Sequence, residues 1–221
     1  MFAGTVTAFE RDVHFGLTKW LALKAGFTAQ EADALGVGNQ RVDSGDMQFI
    51  ELVPAYACLA KNIDSATLVE RHHYPSSGRV PGPAEQRAVI AGSDAVRNRA
   101  LEAIKVSPNQ AGFLLLKFGE TLHATQDSWA HQGVPDVPRP LDGVLACDPE
   151  LAWTHPRSRG GWNSHKADLT HEWAVDTLAM AMATYDLLKQ YPAIDGVQRA
   201  PRDWNEIRPL LDGFLRASTK T

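Results

Sequence analysis

The sequence is poor in cysteine, with only Cys58 and Cys147 among its 221 residues. A domain of this size buries roughly 70% of the surface of its unfolded chain. A core of that size gives a protein little need of disulfide bonds for stability. We therefore expect both cysteines to be free thiols.

Long hydrophobic runs are also missing. No stretch reaches the roughly 18 uninterrupted apolar residues of a membrane-spanning helix, and residues 1–10 lack the basic region and apolar run of an export signal. The sequence therefore predicts no transmembrane segment. It also predicts a location in the cytoplasm, or export by a route that uses no signal peptide.

The chain has no excess of positive charge, because 22 Lys and Arg stand against 26 Asp and Glu, a net charge of -4. This balance disfavours a protein that reads nucleic-acid sequence. It does not exclude an enzyme that acts on phosphodiesters, because bound divalent cations would themselves be the largest local positive charges.

The sequence lacks alternating runs of β-branched residues, internal repeats and low-complexity segments, whereas helical periodicity and helix caps recur. We therefore expect an all-α fold, a multi-helix bundle forming one domain over residues 1–221. The expected helices cover 10–25; a segment from the capping box Thr28-Ala-Gln-Glu31 to about Gly36 or Gly38; Asp64 to His73; 83–105; Ser107-Pro108 to His131; Asn163 to Tyr191; and a last helix from Asp203 that Pro209 kinks or ends.

The helix that follows Pro108 carries the strongest chemical pattern. His123, Asp127 and His131 are four residues apart, which places them within an arc of about 80° on one helix face. An imidazole, a carboxylate and a second imidazole are ligands that zinc prefers. The pattern predicts a metal site, and its alternative is a hydrogen-bonded network in the core without a metal.

Further histidines and acids accompany this helix. Asp12 and His14 are two residues apart at the start of the first helix, where the alternative is a helix-dipole pair with a surface histidine. The segment Asp43-Ser-Gly-Asp46 could equally be a turn with a helix cap. Of His72 and His73, we expect one to be a metal ligand and the other to interact with the helix dipole.

The predicted helix from Asn163 places His165 and Asp168 three residues apart, and we expect both to bind metal. Glu172 and Asp176 continue the same stripe, and His171 is expected to be solvated or to support a ligand. For His155, in the proline-rich loop over 133–163, a substrate contact and a simple loop position remain equal alternatives.

The order of these motifs resembles the zinc-dependent phospholipase C superfamily, which also contains single-strand-specific nucleases. The likeness is to its poorly characterised bacterial branch and spans about residues 10 to 180. The motifs are Asp12-x-His14, Ala25-Gly26-Phe27, Asn39-Gln-Arg-Val-Asp43, His73-Tyr-Pro, Gly119-x-x-x-His123-x-x-x-Asp127-x-x-x-His131 and Ser164-His165.

The resemblance implies two or three zinc ions in a helical cleft. One ion would be held by Asp43, His73, His123 and Asp127. The second would be held by His131, His165 and Asp168. A third would be held by His14, by Asp127, which would bridge two ions, and by Asp12. Asp12 would replace the amino-terminal ligand of the secreted members.

The sequence departs from the superfamily at two of these positions. If Asp12 does not act as a ligand, the third ion is weak or absent. The spacing from His165 to Asp168 is one residue shorter than in the superfamily. Glu172 or Asp176 could therefore replace Asp168.

The resemblance further implies a phosphoesterase that cleaves a phosphodiester or a phospholipid head group with a metal-bound hydroxide. Asp43 would be the catalytic residue that orients or deprotonates the attacking water, and Trp153 and Trp162 would form a wall of the cleft. A single-strand nuclease is the related alternative, in which exposed indoles, Trp129 included, would stack on bases. An alternative from another class is a metal-binding interaction protein without catalysis. A di-iron bundle is disfavoured because paired Glu-x-x-His motifs are missing.

Overall fold

A computed structural model describes residues 9–44, 54–105, 108–138, 146–162 and 164–218. Asp46, Ser107 and Asn163 lie outside these residues. The described part of the chain is helical and contains isolated β-bridges but no strand, which confirms the all-α prediction. Its α-helices are α1 (Thr18–Lys24), α2 (Ala29–Ser44), α3 (Ile63–His72), α4 (Asp94–Ala103), α5 (Leu115–Ala130), α6 (Ala174–Gln190) and α7 (Trp204–Arg216).

The predicted first helix is confirmed, although its opening turns, Asp12–Leu17, are π-helical and continue directly into α1. The predicted capping box is also present. The Thr28 amide donates to Glu31 Oε2 at 2.7 Å, and the Glu31 amide donates to Thr28 Oγ1 at 3.3 Å. These two bonds satisfy backbone donors at the start of α2.

The prediction that this helix ends near Gly36 or Gly38 was wrong, because α2 continues to Ser44. The glycines permit close packing instead. A Cβ atom on Gly38 would lie 2.2 Å from the carbonyl oxygen of Leu116, and one on Gly119 would lie 2.4 Å from that of Leu35. The backbones of α2 and α5 therefore touch, which places the end of α2 beside the histidine face of α5.

The expected long helix over 83–105 was also wrong. The chain forms a 3-10 turn, Ala84–Arg87, then an extended segment, and then α4. The backbone of Val89 exchanges two hydrogen bonds with Gly133, at 3.0 and 2.9 Å, and Gly92 has a positive φ of 58°. This pairing and the left-handed glycine interrupt the run of good helix formers.

The last long helix was predicted to begin ten residues too early. The segment Lys166–Asp168 is a 3-10 turn, and α6 begins only at Ala174. The indole nitrogen of Trp173 donates to the carbonyl oxygen of Lys166 at 2.7 Å and so closes the intervening turns. Pro209 lies inside α7 and does not end it, because this helix continues to Arg216.

The core contains two clusters of buried apolar side chains. The larger joins α1, α2, α5, α6 and α7. The smaller surrounds Tyr74 and Trp153 and includes Tyr56 and Val89. Arg87 is also buried, and its guanidinium donates to the carbonyl oxygens of Gly82, Pro149 and Ala152.

The expectation of free thiols was wrong, because Cys58 and Cys147 form a disulfide with a Cα–Cα distance of 3.8 Å. The π-helical segment Pro54–Leu59 lies against the loop that carries Cys147, and the amide of Asp148 donates to the carbonyl oxygen of Ala57 at 2.8 Å. This tertiary contact brings together cysteines that are 89 residues apart. Within the described residues, no helix combines the length and apolar character needed to cross a membrane.

Candidate metal centre

The first group of candidate ligands gathers on four segments of the chain. The π-helical turns supply one histidine, α2 supplies an aspartate near its end, the residue after α3 supplies a histidine, and α5 supplies two side chains. These residues are His14, Asp43, His73, His123 and Asp127, and all of them are buried.

Their donor atoms form two overlapping triads that share His123, one with His14 and Asp43 and the other with His73 and Asp127. Nε2 of His123 lies 3.1 Å from Oδ2 of Asp127 and 3.4 Å from Oδ1 of Asp43. Nδ1 of His73 lies 3.2 Å from the same oxygen of Asp127. His14 approaches from the other side, with its Nε2 3.3 Å from Oδ1 of Asp127. Asp127 therefore presents one carboxylate oxygen to each side of the group.

The outer nitrogens of two ligands are held by protein acceptors. Nδ1 of His123 lies 3.0 Å from the main-chain oxygen of Asn39 and 3.1 Å from its side-chain oxygen. Nδ1 of His14 lies 3.0 Å from Oε1 of Gln126. Each Nδ1 is placed to donate to these acceptors, so each Nε2 faces the carboxylates, as in a metal-ligating histidine.

A second group lies next to the first and consists of His131, His155 and Asp168. Nδ1 of His131 lies 2.6 Å from the main-chain oxygen of His73, and Nδ1 of His155 lies 2.8 Å from that of Ser164. Nε2 of His155 lies 3.1 Å from Oδ1 of Asp168. Two imidazoles and a carboxylate form a set of three protein ligands, which is the number at catalytic zinc sites.

Both groups contain buried side-chain atoms that lack a hydrogen-bond partner, as expected of metal ligands. A buried polar atom without a hydrogen-bond partner within the protein is costly, and such atoms fit a site for an ion or water. Seven of these atoms belong to the two groups: Asp43 Oδ1, His73 Nε2, Asp127 Oδ1, His131 Nε2, His155 Nε2, Asp168 Oδ1 and Asp168 Oδ2.

The electrostatics of the groups favour a bound cation. Burial disfavours the charged form of His14, but Asp127 and Asp43 outweigh it and raise the pKa of His14 to about 9. Burial opposes the charge of Asp127, yet the surrounding histidines hold its pKa well below the ordinary value. Burial lowers the pKa of His131 to about 3. The carboxylate of Asp127 thus remains charged, while the imidazole of His131 stays neutral and able to bind metal.

Most of the predicted ligands are brought together. His14, Asp43, His73, His123 and Asp127 form the first group, while His131 and Asp168 belong to the second. The choice between His72 and His73 falls on His73, whose side chain is fully buried among the other ligands.

His165 and Asp12 belong to neither group among the described residues. The side chain of His165 is 53% exposed, and its Nδ1 lies 3.5 Å from Oδ2 of Asp168. Asp12 and Asp168 line a cavity of about 790 Å³ between the π-helical turns and α7. Asp176, a candidate substitute for Asp168, pairs with Arg159 instead.

His155 is the candidate ligand that sequence reasoning left unassigned. Its neighbours in the sequence form no helical pattern, and the proline-rich loop reaches the site only through tertiary packing. Of the two tryptophans expected to form a wall of the cleft, Trp162 is half-buried. Trp153 is fully buried, where its indole donates to the carbonyl oxygen of Ala66 at 2.9 Å, and Trp129 is also buried.

Comparison with known proteins connects this arrangement to a family. Neither the curated proteins nor the solved structures gave a match to the sequence. A protein-family model described as "Family of unknown function (DUF6765)" matches residues 9–167, which include all the candidate ligands except Asp168. The chain therefore belongs to this family of unknown function, DUF6765.

Proposed function

We propose that the protein is a zinc-dependent phosphoesterase that cleaves a phosphodiester or a phospholipid head group. The observation that carries the proposal is the adjacency of two buried donor groups through α5. Asp127 belongs to one group and His131, a single helical turn further on, belongs to the other. Such adjacency suits ions that act together on one substrate.

The donor set supports zinc. Imidazole nitrogens and carboxylate oxygens are its usual ligands when thiolates are missing, and both cysteines of this chain are used in a disulfide. When bound, zinc would lower the pKa of a water and neutralise charge that develops at phosphorus.

Asp43 is suited to handle the proton of that water. It stands near the end of α2 with its side chain 4% exposed, and its Oδ1 has no hydrogen-bond partner in the described structure. A carboxylate oxygen without a hydrogen-bond partner can accept a proton or orient a water. We therefore assign the catalytic role to Asp43, while the histidines hold the metal.

The buried tryptophans bear on the substrate. Stacking on unpaired bases needs exposed aromatic faces, and neither Trp129 nor Trp153 provides one. Burial thus removes Trp129 and Trp153, but not the half-buried Trp162, as stacking surfaces for a single-strand nuclease. A lipid-type or small phosphodiester is the substrate class that we prefer.

A second candidate function follows from the burial of the site. The residues of both groups are at most 8% exposed, and structural zinc sites are closed in this way. On this reading the metal would be a cross-link between helices in a protein that binds partners without hydrolysing a substrate. Metal content together with turnover separates the two candidates.

The test is elemental analysis of the protein purified without chelator, combined with a hydrolysis assay. We expect two or three zinc ions per chain and cleavage of bis(p-nitrophenyl) phosphate. Asp127→Ala should lose most of the metal and the activity, whereas Asp186→Ala, which removes an exposed carboxylate on α6, should retain both. A protein with zinc but no turnover on phosphodiester, phospholipid or single-stranded DNA would support the cross-link, and one without zinc would overturn both candidates.

A further inference from the structure

A buried polar triad lies directly behind the first group of ligands. It consists of Thr18 on α1, Asn39 on α2 and Gln126 on α5, each of them 0% exposed. None of the three belongs to a donor group. Burying a hydroxyl and two amides is costly unless they are hydrogen-bonded to one another, and in this triad they are.

The directions of these hydrogen bonds can be worked out from one end. The main-chain oxygen of Val13, which can only accept, lies 3.4 Å from Oγ1 of Thr18, so the hydroxyl donates to it. The lone pairs of Oγ1 then accept from Nδ2 of Asn39 at 3.0 Å and from Nε2 of Gln126 at 2.8 Å. The Thr18 hydroxyl therefore accepts from both amide nitrogens and helps to fix the direction in which each amide faces.

The orientation of Gln126 determines the state of His14. With its nitrogen turned to Thr18, the amide presents Oε1 to Nδ1 of His14 at 3.0 Å, and the same oxygen accepts from Asn39 at 3.0 Å. An oxygen in this position requires the proton of the ring on Nδ1. Nε2 of His14 is then left to face Asp127 and Asp43.

We propose that Thr18 is a positioning residue for metal binding, which acts through Gln126 to keep Nε2 of His14 available as a ligand. Without the hydroxyl, Nε2 of Gln126 loses its acceptor. Only the hydrogen bond from Asn39 to Oε1 then opposes the rotation that would present the NH₂ group of Gln126 to His14. The proton would then favour the metal-facing nitrogen. This inference rests on metal binding in the proposed function, but not on hydrolysis.

His123 needs no such device, because its Nδ1 also contacts the main-chain oxygen of Asn39, which cannot rotate. The dependence on Thr18 is therefore specific to the histidine on the π-helical turns. Polar groups that orient metal-ligating histidines typically change metal affinity by about 10- to 100-fold when they are removed.

The experiment measures Co²⁺ affinity, by competition with a chromophoric chelator, and the visible absorption spectrum of the bound Co²⁺. We expect Thr18→Val, which replaces the hydroxyl by a methyl group, to weaken binding by about tenfold or more and to change the spectrum. Thr18→Ser keeps the hydroxyl and should restore both. The matched control is Thr184→Val, because Thr184 is equally buried but contacts Met180 on α6.

Thermal unfolding of the metal-free variants reports their folding separately. Wild-type Co²⁺ affinity and spectrum in Thr18→Val would overturn the proposal, and so would an equal loss of affinity in Thr184→Val. A wild-type protein that does not bind Co²⁺ would instead overturn the proposed function, which keeps the two failures distinct.

Discussion

The imidazole of His155 lies beside the carboxylate of Asp168, with 3.1 Å between Nε2 and Oδ1, although the two residues are in different turns of an irregular region. His155 takes the position that the helical pattern predicted for His165. Nδ1 of the His155 ring contacts the main-chain oxygen of Ser164. The second donor group is therefore assembled from a loop and a 3-10 turn against the end of α5.

This arrangement predicts different outcomes for two histidine substitutions. His155→Ala should remove about one zinc ion per chain, because it deletes one of three ligands of the second group. His165→Ala should leave the zinc content unchanged, since that side chain is mostly exposed. Elemental analysis of both variants checks the prediction, and loss of zinc in His165→Ala alone would show that the ligand is the one expected from the sequence.

The crossing of α2 and α5 predicts a severe effect of a single methyl group. Gly38→Ala would place a Cβ atom 2.2 Å from the carbonyl oxygen of Leu116. The helices would have to separate, and we expect the free energy of unfolding to fall by about 1–3 kcal/mol or more. Urea denaturation of the metal-free protein measures this change.

The matched control is Gly213→Ala in α7, where an added Cβ would meet no atom within 4 Å. Alanine is favoured over glycine inside a helix by about 0.5–1 kcal/mol, so this variant should be slightly more stable than the wild type. Equal effects of the two substitutions would contradict the close approach of the helix backbones.

The disulfide between Cys58 and Cys147 predicts that the denatured, unreduced protein contains no reactive thiol. A cross-link between cysteines 89 residues apart should raise the free energy of unfolding by roughly 4 kcal/mol, because it restricts the unfolded chain. Cys58→Ser with Cys147→Ser should lower the urea midpoint accordingly. Thiol titration in denaturant checks the bond itself, and two titratable thiols would restore the expectation made from the sequence.

Burial of His131 predicts that the metal-free protein loses stability in mild acid. Its pKa is lowered to about 3, so below pH 6.5 the unfolded chain takes up a proton that the folded protein refuses. The free energy of unfolding is therefore unaffected by His131 above pH 6.5. It declines, by up to about 1.4 kcal/mol per pH unit, as the pH falls towards 3.

Urea unfolding of chelator-treated protein at pH 7, 6 and 5 measures this decline. In His131→Gln the dependence on pH should be shallower, because the substituted side chain does not titrate. The same slope in the variant and the wild type would show that His131 is not the buried neutral group responsible.

The local features of the sequence were sufficient for the all-α class, the capping box at Thr28 and the face of α5 that carries His123, Asp127 and His131. Each depends on side chains within about one helical turn of one another, where spacing alone defines geometry. Local sequence could not show that Gly36 and Gly38 lie inside a helix. A glycine is typical of a helix end unless the neighbouring backbone that it packs against is known.

What the sequence determined by itself was the order of several candidate ligands: His14, His123, Asp127 and His131 lie on helices that can be predicted directly, whereas Asp43 lay beyond the predicted end of its helix. Tertiary structure decided the rest. His155, the disulfide and the acceptors behind His14 and His123 depend on contacts between residues far apart in the chain. Such contacts form only when α2 and α5 pack together and the loop over 146–162 closes on them, and local propensity contains no term for this packing.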